Sequence, residues 1–405
     1  MLMRITIFSD CHCGFDFDKE RGEDSFLGLE EAVRGGLDSD LILIAGDIFD
    51  SRIVKQEVFA KTAKILSLPH SVHGRAQLAD VIGKDKSEIS PLALRGIPVV
   101  AIHGTHERRS KHLVNPVQEL EHAGLLTHLH CSSVVYNIGE EKVAVHGMSG
   151  VPERYAKDCL RSWDPKPVSG AVNILMIHQS IEPYIYSPLE PPSLKVEDLP
   201  QGFDLYVLGH IHWSEFKPVQ GGTLLVCGST TPTSLHKNES EKQKGYYVFD
   251  GKELSFVPLE SQRKVLWKEF FYGPETKNEM RTFLTQLPEY KRKPIFVAKV
   301  RGKLAKGAAP PVFSDIENAF SSKVILNIGR KLDSEEFADN TELLEELRKE
   351  RLSPEEQGMK LLLDNVSQVK CGIRAEEIFE LLVEGESELV FNLLTGRQKT
   401  IGALG

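Results

Sequence analysis

Apolar positions in the first part of the chain come in short runs, each closed by a polar tip. MRITIFSD (3–10), LILIAGDIFD (41–50) and IPVVAIHGTHE (97–107) each read as a buried strand that ends in carboxylates, hydroxyls or imidazoles. Between them, residues 22–36 place Phe26, Leu29 and Val33 on one helical face, and residues 55–67 read as a second helix. Strand, polar tip and helix in repetition predict a layered α/β fold, in which ligands gather at the carboxyl ends of strands. Residues 69–91, punctuated by Gly, Pro and Ser, read as an excursion between core elements. Residues 186–202, with four prolines, read as an exposed loop. The β-rich part continues through LYVLGHIH (205–212), TLLVCGS (223–229) and GYYVFD (245–250), and ends near Gln262.

A different unit follows. Residues 263–331 alternate as β-α-β-α-β. Within it, residues 291–306 carry seven basic side chains (Lys291, Arg292, Lys293, Lys299, Arg301, Lys303 and Lys306) and no acid. From Asp333 to Glu350 the balance reverses to eight acids against two bases, a solvated linker or helix face. Residues 354–395 hold two amphipathic helical stretches. The expected division is therefore 1–262, 263–332 and 333–405.

Composition sharpens this only in places. With 405 residues, 41% hydrophobic and 26% charged, the chain has material for a real core and is not a disordered one. Its net charge of −9 excludes a globally basic nucleic-acid binder, so any such contact must be local. No run approaches the ~18 apolar residues of a membrane helix, and the start is too soon polar for a signal peptide. The six cysteines are scattered, which reads as reduced thiols in a cytoplasmic protein.

Five separated pieces share one chemical vocabulary: Asp10-Cys11-His12, Gly46-Asp47-Ile48-Phe49-Asp50, Gly104-Thr105-His106-Glu107, His178, and Gly209-His210-Ile211-His212. Each follows a predicted strand. The gaps of 35, 59, 72 and 32 residues between His12, Asp47, His106, His178 and His210 are far too long for a local site, so only a folded sheet can converge them. Imidazole with carboxylate suits two divalent ions of intermediate hardness, such as Mn, Fe or Zn. Cys11 and Cys13 alternate with His12 and read as buried thiols. His146 reads as a core polar residue.

These pieces resemble the signature of the calcineurin-type metallophosphoesterases: DxH, GDxxD, GNH(D/E), H and GHxH. Within that superfamily the chain looks most like DNA-repair nucleases of the Mre-eleven/SbcD type, through FSDCHCGF, LILIAGDIFDS and the basic α/β unit followed by helices. The resemblance implies a two-sheet sandwich flanked by helices, a small α/β capping domain and a helical carboxyl-terminal tail. It implies two metal ions, Mn2+ in this reading. Asp10, His12, Asp47 and His212 would hold one, and His178 and His210 would hold the second together with the bridging Asp47. His106 would act as catalytic acid, with Asp50 orienting it. It further implies cleavage of DNA as exonuclease and endonuclease. The implied partners are a second copy, paired through helices near 55–67 and 113–123, and a Rad-fifty/SbcC-type ABC ATPase docked on the terminal helices.

One position departs from the signature. Where the family has an asparagine that offers a carbonyl to the second metal, this chain has Thr105. Threonine, a water, or His103 two residues earlier could complete that shell. Lys299, Arg301 and Lys303, with Arg108, Arg109 and Lys111 after the GTHE motif, could line a DNA path. Two other readings stay open: a phosphoesterase of the same superfamily acting on nucleotides or phosphoproteins, and a weakly catalytic DNA-end scaffold.

Overall fold

The computed structural model describes residues 3–109, 113–185, 194–219, 221–235, 237–304, 311–333 and Ile378. The acidic stretch after Asp333, the tail helices (Ile378 apart), Lys111, Lys306 and residues 186–193 of the proline-rich loop lie outside the described residues; the rest of that loop is not the exposed loop expected, since Leu194 and Leu199 are buried in the core.

In chain order the elements are β1 (Ile5–Phe8), α1 (Asp24–Gly35), β2 (Leu41–Ala45), α2 (Gln56–Leu66), β3 (Gln77–Ile82), β4 (Val99–Ile102), α3 (Pro116–His122), β5 (Thr127–His128), β6 (Ser132–Ile138), β7 (Glu141–Met148), α4 (Glu153–Trp163) and β8 (Val172–His178). There follow β9 (Ile181–Glu182), β10 (Leu194–Lys195), β11 (Leu205–Gly209), β12 (Glu215–Val219), β13 (Gly222–Val226), α5 (Lys237–Glu241), β14 (Gly245–Phe249) and β15 (Leu254–Pro258). Last come β16 (Val265–Phe271), α6 (Thr276–Gln286), β17 (Ile295–Lys303), α7 (Ser314–Phe320) and β18 (Ile325–Asp333), the β-α-β-α-β order expected.

Two mixed sheets form the main body, as the sandwich expectation requires. One has the order β15-β14-β1-β2-β4-β5, the other β12-β13-β11-β8-β7-β6-β3. Strands β1, β2 and β4 run parallel in the first, and β8 and β11 run parallel in the second. Strand periodicity assigns their faces. Ile5, Ile7, Leu41, Leu43, Val100 and Ile102 share one core with Val143, Val145, Ile174, Met176, Leu205 and Val207. The alternate residues Ile42, Ile44, Val99 and Ala101 pack instead with Phe26, Leu29 and Val33 of α1. On the second sheet Leu175, Ile177, Tyr206 and Leu208 pack with Ala156 and Leu160 of α4. Strands buried on both faces explain the near-continuous apolar runs, and each buried Val, Leu or Ile contributes roughly 1.5–3 kcal/mol.

The excursion at 69–91 contains β3, which extends the second sheet antiparallel to β6. Its sequence hid it because it lies at an edge, with no buried residue.

Contacts group the chain into two units: Met1–Lys268, Thr282–Ala298 and Asp315–Gly329 in the first, and Glu269–Arg281, Lys299–Ser314 and Arg330–Gly405 in the second. Part of the region after Gln262 thus associates with the first unit, and its charges supply a reason. Asp24, 1% exposed, accepts from Arg263 Nε at 2.9 Å and from Arg292 Nη2 at 2.6 Å. Lys293 pairs with Glu20. Within the second unit, Arg301 pairs with Glu269, and the Tyr272 amide donates to the Arg301 carbonyl at 2.6 Å. Strands β16, β17 and β18 form a three-stranded sheet in that order.

Asp24→Ala leaves the largely buried Arg21 and Arg263 without their carboxylate. The variant should lose about 3–5 kcal/mol in urea denaturation, and Asp24→Asn should lose less because it keeps hydrogen-bond acceptors. An unchanged unfolding midpoint for the alanine variant would show that this ion-pair cluster carries no stability.

Candidate metal centre

Every sequence-predicted ligand lies at the carboxyl end of a parallel strand of the first unit. Asp10 and His12 follow β1, Asp47 and Asp50 follow β2, and Thr105 and His106 follow β4. His178 ends β8, and His210 and His212 follow β11. The two sheets meet there. His178 Nδ1–H donates to the Ala45 carbonyl at 2.7 Å, joining the ends of β8 and β2.

Three groups of potential donors result: Asp10, His12 and His212; His12, Asp47 and His106; and Asp47, His178 and His210. Within each group the donor atoms lie within 4.8 Å of one another. His12 and Asp47 belong to two groups each, so the arrangement has the form of two adjoining sites.

The backbone bends sharply to achieve this. Asp10, His12, Asp47 and His210 all have positive φ, at 53°, 48°, 47° and 84°. Such conformations cost roughly 1–3 kcal/mol each for non-glycine residues. Hydrogen bonds between the loops hold them: Asp10 N–H to Gly46 O at 2.9 Å, and His12 N–H to Asp47 O at 3.0 Å. Two motif glycines provide room. A Cβ on Gly46 would lie 2.3 Å from His178 Nδ1, and one on Gly104 would lie 2.1 Å from Asp47 Oδ1.

The donor orientation fits divalent cations. His12 Nδ1–H donates to Asp50 Oδ1 at 3.0 Å, and His212 Nδ1 shares a 2.7 Å hydrogen bond with Thr233 Oγ1. Their Nε2 atoms therefore face each other, at 3.1 Å. His178, committed through Nδ1–H, aims Nε2 at Asp47 Oδ2 at 3.1 Å. Paired lone pairs of this kind need a cation or a proton between them, and an outer hydrogen bond that fixes the tautomer is the usual support of a metal-binding histidine.

The electrostatics agree. Burial pushes Asp10 up to about 6, with Asp47 adding to the rise against the pull of His178 and His12. Burial acts on Asp47 too, but the charge and hydrogen bond of His178 hold it well below the usual carboxylate range. Burial opposes the charging of His178, yet Asp47 and Asp10 lift it to about 10. Burial and the charge of His178 bring His210 down to about 4.

The remaining expected residues are placed as follows. Thr105 Oγ1 donates to Asp47 Oδ2 at 3.4 Å, so its hydroxyl faces the second cluster. His103 Nδ1 bonds His128 Nε2 at 2.9 Å and Asn115 Nδ2 at 3.3 Å, and its ring stacks on His128. His103 belongs to none of the three clusters. The Asp50 carboxylate accepts from His12 Nδ1–H and also lies 3.6 Å from His106 Nδ1, while His106 Nδ1–H donates to the Asp50 main-chain carbonyl at 3.1 Å. Cys11 and Cys13 are buried, and His146 bonds Ser133 Oγ at 2.8 Å within the core. Arg108 and Arg109 are half-buried beside the motif; Arg109 donates to the Val114 carbonyl. Along β17, Lys299, Arg301 and Lys303 occupy the outward positions while Phe296, Ala298 and Val300 are buried.

Sequence reasoning missed the supports. Buried Glu107 accepts the amides of Phe49 and Gly104, both at 2.8 Å, and so joins the β2 and β4 loops. Burial raises it to about 8. Its place in GTHE was the available signal. Buried Lys244 donates to the His212 carbonyl at 2.7 Å, to Ser229 Oγ at 2.6 Å and to Glu239 Oε1 at 2.9 Å. Glu239 in turn accepts the Thr233 amide at 3.0 Å. Nothing in the sequence marked that pair.

The family model described as calcineurin-like phosphoesterase matches residues 3–214. The chain is 26% identical over 290 residues to the DNA double-strand break repair protein Mre11 of Methanopyrus kandleri, covering 65% of this chain and 58% of that protein. It is 24% identical over 323 residues to the protein of that name from Sulfurisphaera tokodaii, covering 74% of each. It is 25% identical over 379 residues to the one from Methanococcus maripaludis, covering 87% of this chain and 91% of the relative.

Lys244→Met should remove the tether of the His212 loop and strand Glu239 without its cation. The expected cost is about 3–5 kcal/mol, partly recovered by adding Glu239→Gln. Equal stability of the single and double variants in guanidinium melts would mean that the two residues do not act as a pair.

Proposed function

Since the chain belongs to the calcineurin-like phosphoesterase family, we propose that it hydrolyses phosphodiester bonds of DNA as a metal-dependent nuclease of double-strand break repair. The observation that carries this reading is the convergence of three ligand clusters sharing His12 and Asp47 at strand ends. The names of the relatives supply the substrate.

In this reading Asp10, His12, Asp47 and His212 hold one divalent ion, and Asp47, His178 and His210 the other, with Thr105 at its edge. Mn2+ suits the mixture of imidazole and carboxylate. Such ions would acidify the attacking water and stabilise the charge on the phosphoryl oxygens. His106 stands at the rim, its side chain 46% exposed. With Nδ1–H committed to the Asp50 carbonyl, Nε2 is left to meet the phosphate or to protonate the leaving oxygen. Asp50 fixes both rings, His12 through its carboxylate and His106 through its carbonyl.

The outward basic stripe of β17 suits a phosphate backbone, and Arg108 and Arg109 extend the basic surface beside the motif. We assign residues 1–262 to catalysis, 263–332 to a capping unit and 333–405 to docking on an ABC-type ATPase. A homodimer through α2 and α3 agrees with the exposed apolar residues Ile53, Leu113 and Val114 nearby. Among the described residues no helix is long and apolar enough to cross a membrane.

Asp47→Asn should abolish Mn2+ binding by calorimetry and reduce DNA cleavage at least about a hundredfold, with an unchanged circular dichroism spectrum. A folded variant that cleaves normally would refute the site. Thr105→Asn, which offers a carbonyl, should lower the Mn2+ concentration for half-maximal cleavage. Unchanged dependence would mean that Thr105 or a bound water already completes the coordination of the second ion.

Reversing both Lys299 and Arg301 to Glu should weaken DNA binding and flatten its dependence on salt. Hydrolysis of a small chromogenic phosphodiester should stay the same. Equal loss on both substrates would mean that these charges serve folding or the active site, not DNA tracking.

A further inference from the structure

Cys131 and Cys159 lie 28 positions apart in sequence, yet their sulfurs approach to 3.6 Å. Cys131 sits in the turn between β5 and β6, in the left-handed region at φ 49°. Cys159 sits on α4, near Leu160, which packs into the core below the second sheet. Both are partly exposed, whereas Cys11, Cys13 and Cys227 are buried. Among the described cysteines, only this pair combines proximity with access to solvent. We propose that Cys131 and Cys159 form a peroxide-responsive dithiol site that closes to a reversible disulfide.

The chemistry balances. The Cys159 thiolate attacks hydrogen peroxide, taking one oxygen as sulfenic acid and releasing hydroxide. The Cys131 sulfur then attacks the Cys159 sulfur and expels the oxygen as water. Two thiols lose two electrons, one peroxide gains them, and two waters result. Either thiol can donate across the 3.6 Å contact; with Cys159 as the thiolate, the Cys131 thiol donates to it, which holds Cys159 down to about 7 and raises Cys131, so Cys159 attacks first. A disulfide needs about 2.05 Å between sulfurs, so modest side-chain rotation closes the remaining gap.

The position gives the bond a consequence. The residue before Cys131, His130, places its ring 5.7 Å from His103. The residue two before α4's first turn, Val151, follows Gly150, whose amide donates to the His103 carbonyl at 2.8 Å. Both ends of the cross-link therefore belong to segments that brace the β4 loop carrying Thr105 and His106. The disulfide would join the two braces covalently.

The test uses the intact chain. It is treated with hydrogen peroxide, quenched with iodoacetamide and mapped by mass spectrometry without reduction. The peptides of Cys131 and Cys159 should appear joined, with two hydrogens lost, and dithiothreitol should restore both thiols. In Cys131→Ser the resolving sulfur is gone, so Cys159 should gain two oxygens as sulfinic acid and resist dithiothreitol. The proposal is overturned if both thiols are alkylated after peroxide that fully oxidises free glutathione. It is equally overturned if Cys159 pairs with Cys371 instead of Cys131.

Discussion

The structure turns on two carboxylates, Asp10 and Asp47, held out of water where the two sheets meet. They are 0% and 1% exposed, and each carries a negative charge that raises the cost of the other. Buried like charges persist only with compensation. The chain supplies it through the charge of His178 from the opposite sheet and of His12, while the backbone amides of His210 and His106 donate to Asp10 and Asp47. That requirement fixes the register of the sandwich at this end. Were β8 displaced along β2, His178 would lose both its carbonyl partner, Ala45, and its carboxylate partner, Asp47. Inter-sheet packing of Val and Ile is non-directional and tolerates small shifts. The imidazole bridge does not.

Holding the donors at one point needs a backbone that no regular element offers. Four ligand-type residues take left-handed conformations, and two motif glycines stand where a side chain would overlap a neighbouring ligand. The strain is confined to loops whose supports are buried and polar. Glu107 joins two loops through their amides, and Lys244 with Glu239 secures the loop of His212. These groups are safe from water only because each bonds to several partners, which is the condition under which buried polar networks stabilise.

Much of this was legible in the sequence. Apolar runs located the central strands because those strands are buried on both faces, and the polar tips located the site because polar residues at the end of such a run have little other use. What escaped has physical reasons. Strand β3 shows no apolar alternation, since it is an exposed edge. That Asp50 also bonds His12 was out of reach because two histidines from different strands approach its carboxylate, at 3.0 Å and 3.6 Å, and only the folded geometry brings His12 there. Strand alternation would put His103 on the face of Thr105, yet β4 ends at Ile102 and His103, beyond it, bonds His128 instead. The Lys244–Glu239 pair is five residues apart across a loop, a spacing with no helical or strand signature.

The basic run after Gln262 shows why charge in a sequence is not yet charge on a surface. Its seven cations look uniform, but the fold divides them. Arg292 and Lys293 serve Asp24 and Glu20, acids at and just before the start of α1 that a linear reading leaves unpaired. Lys299, Arg301 and Lys303 fall on the outward side of β17 because Phe296, Ala298 and Val300 claim the inward one. Of these, Arg301 already shares Glu269. A phosphate arriving at the stripe would therefore meet one cation that must be drawn from an exposed ion pair. Such pairs are worth about 0–1 kcal/mol, so that competition costs little.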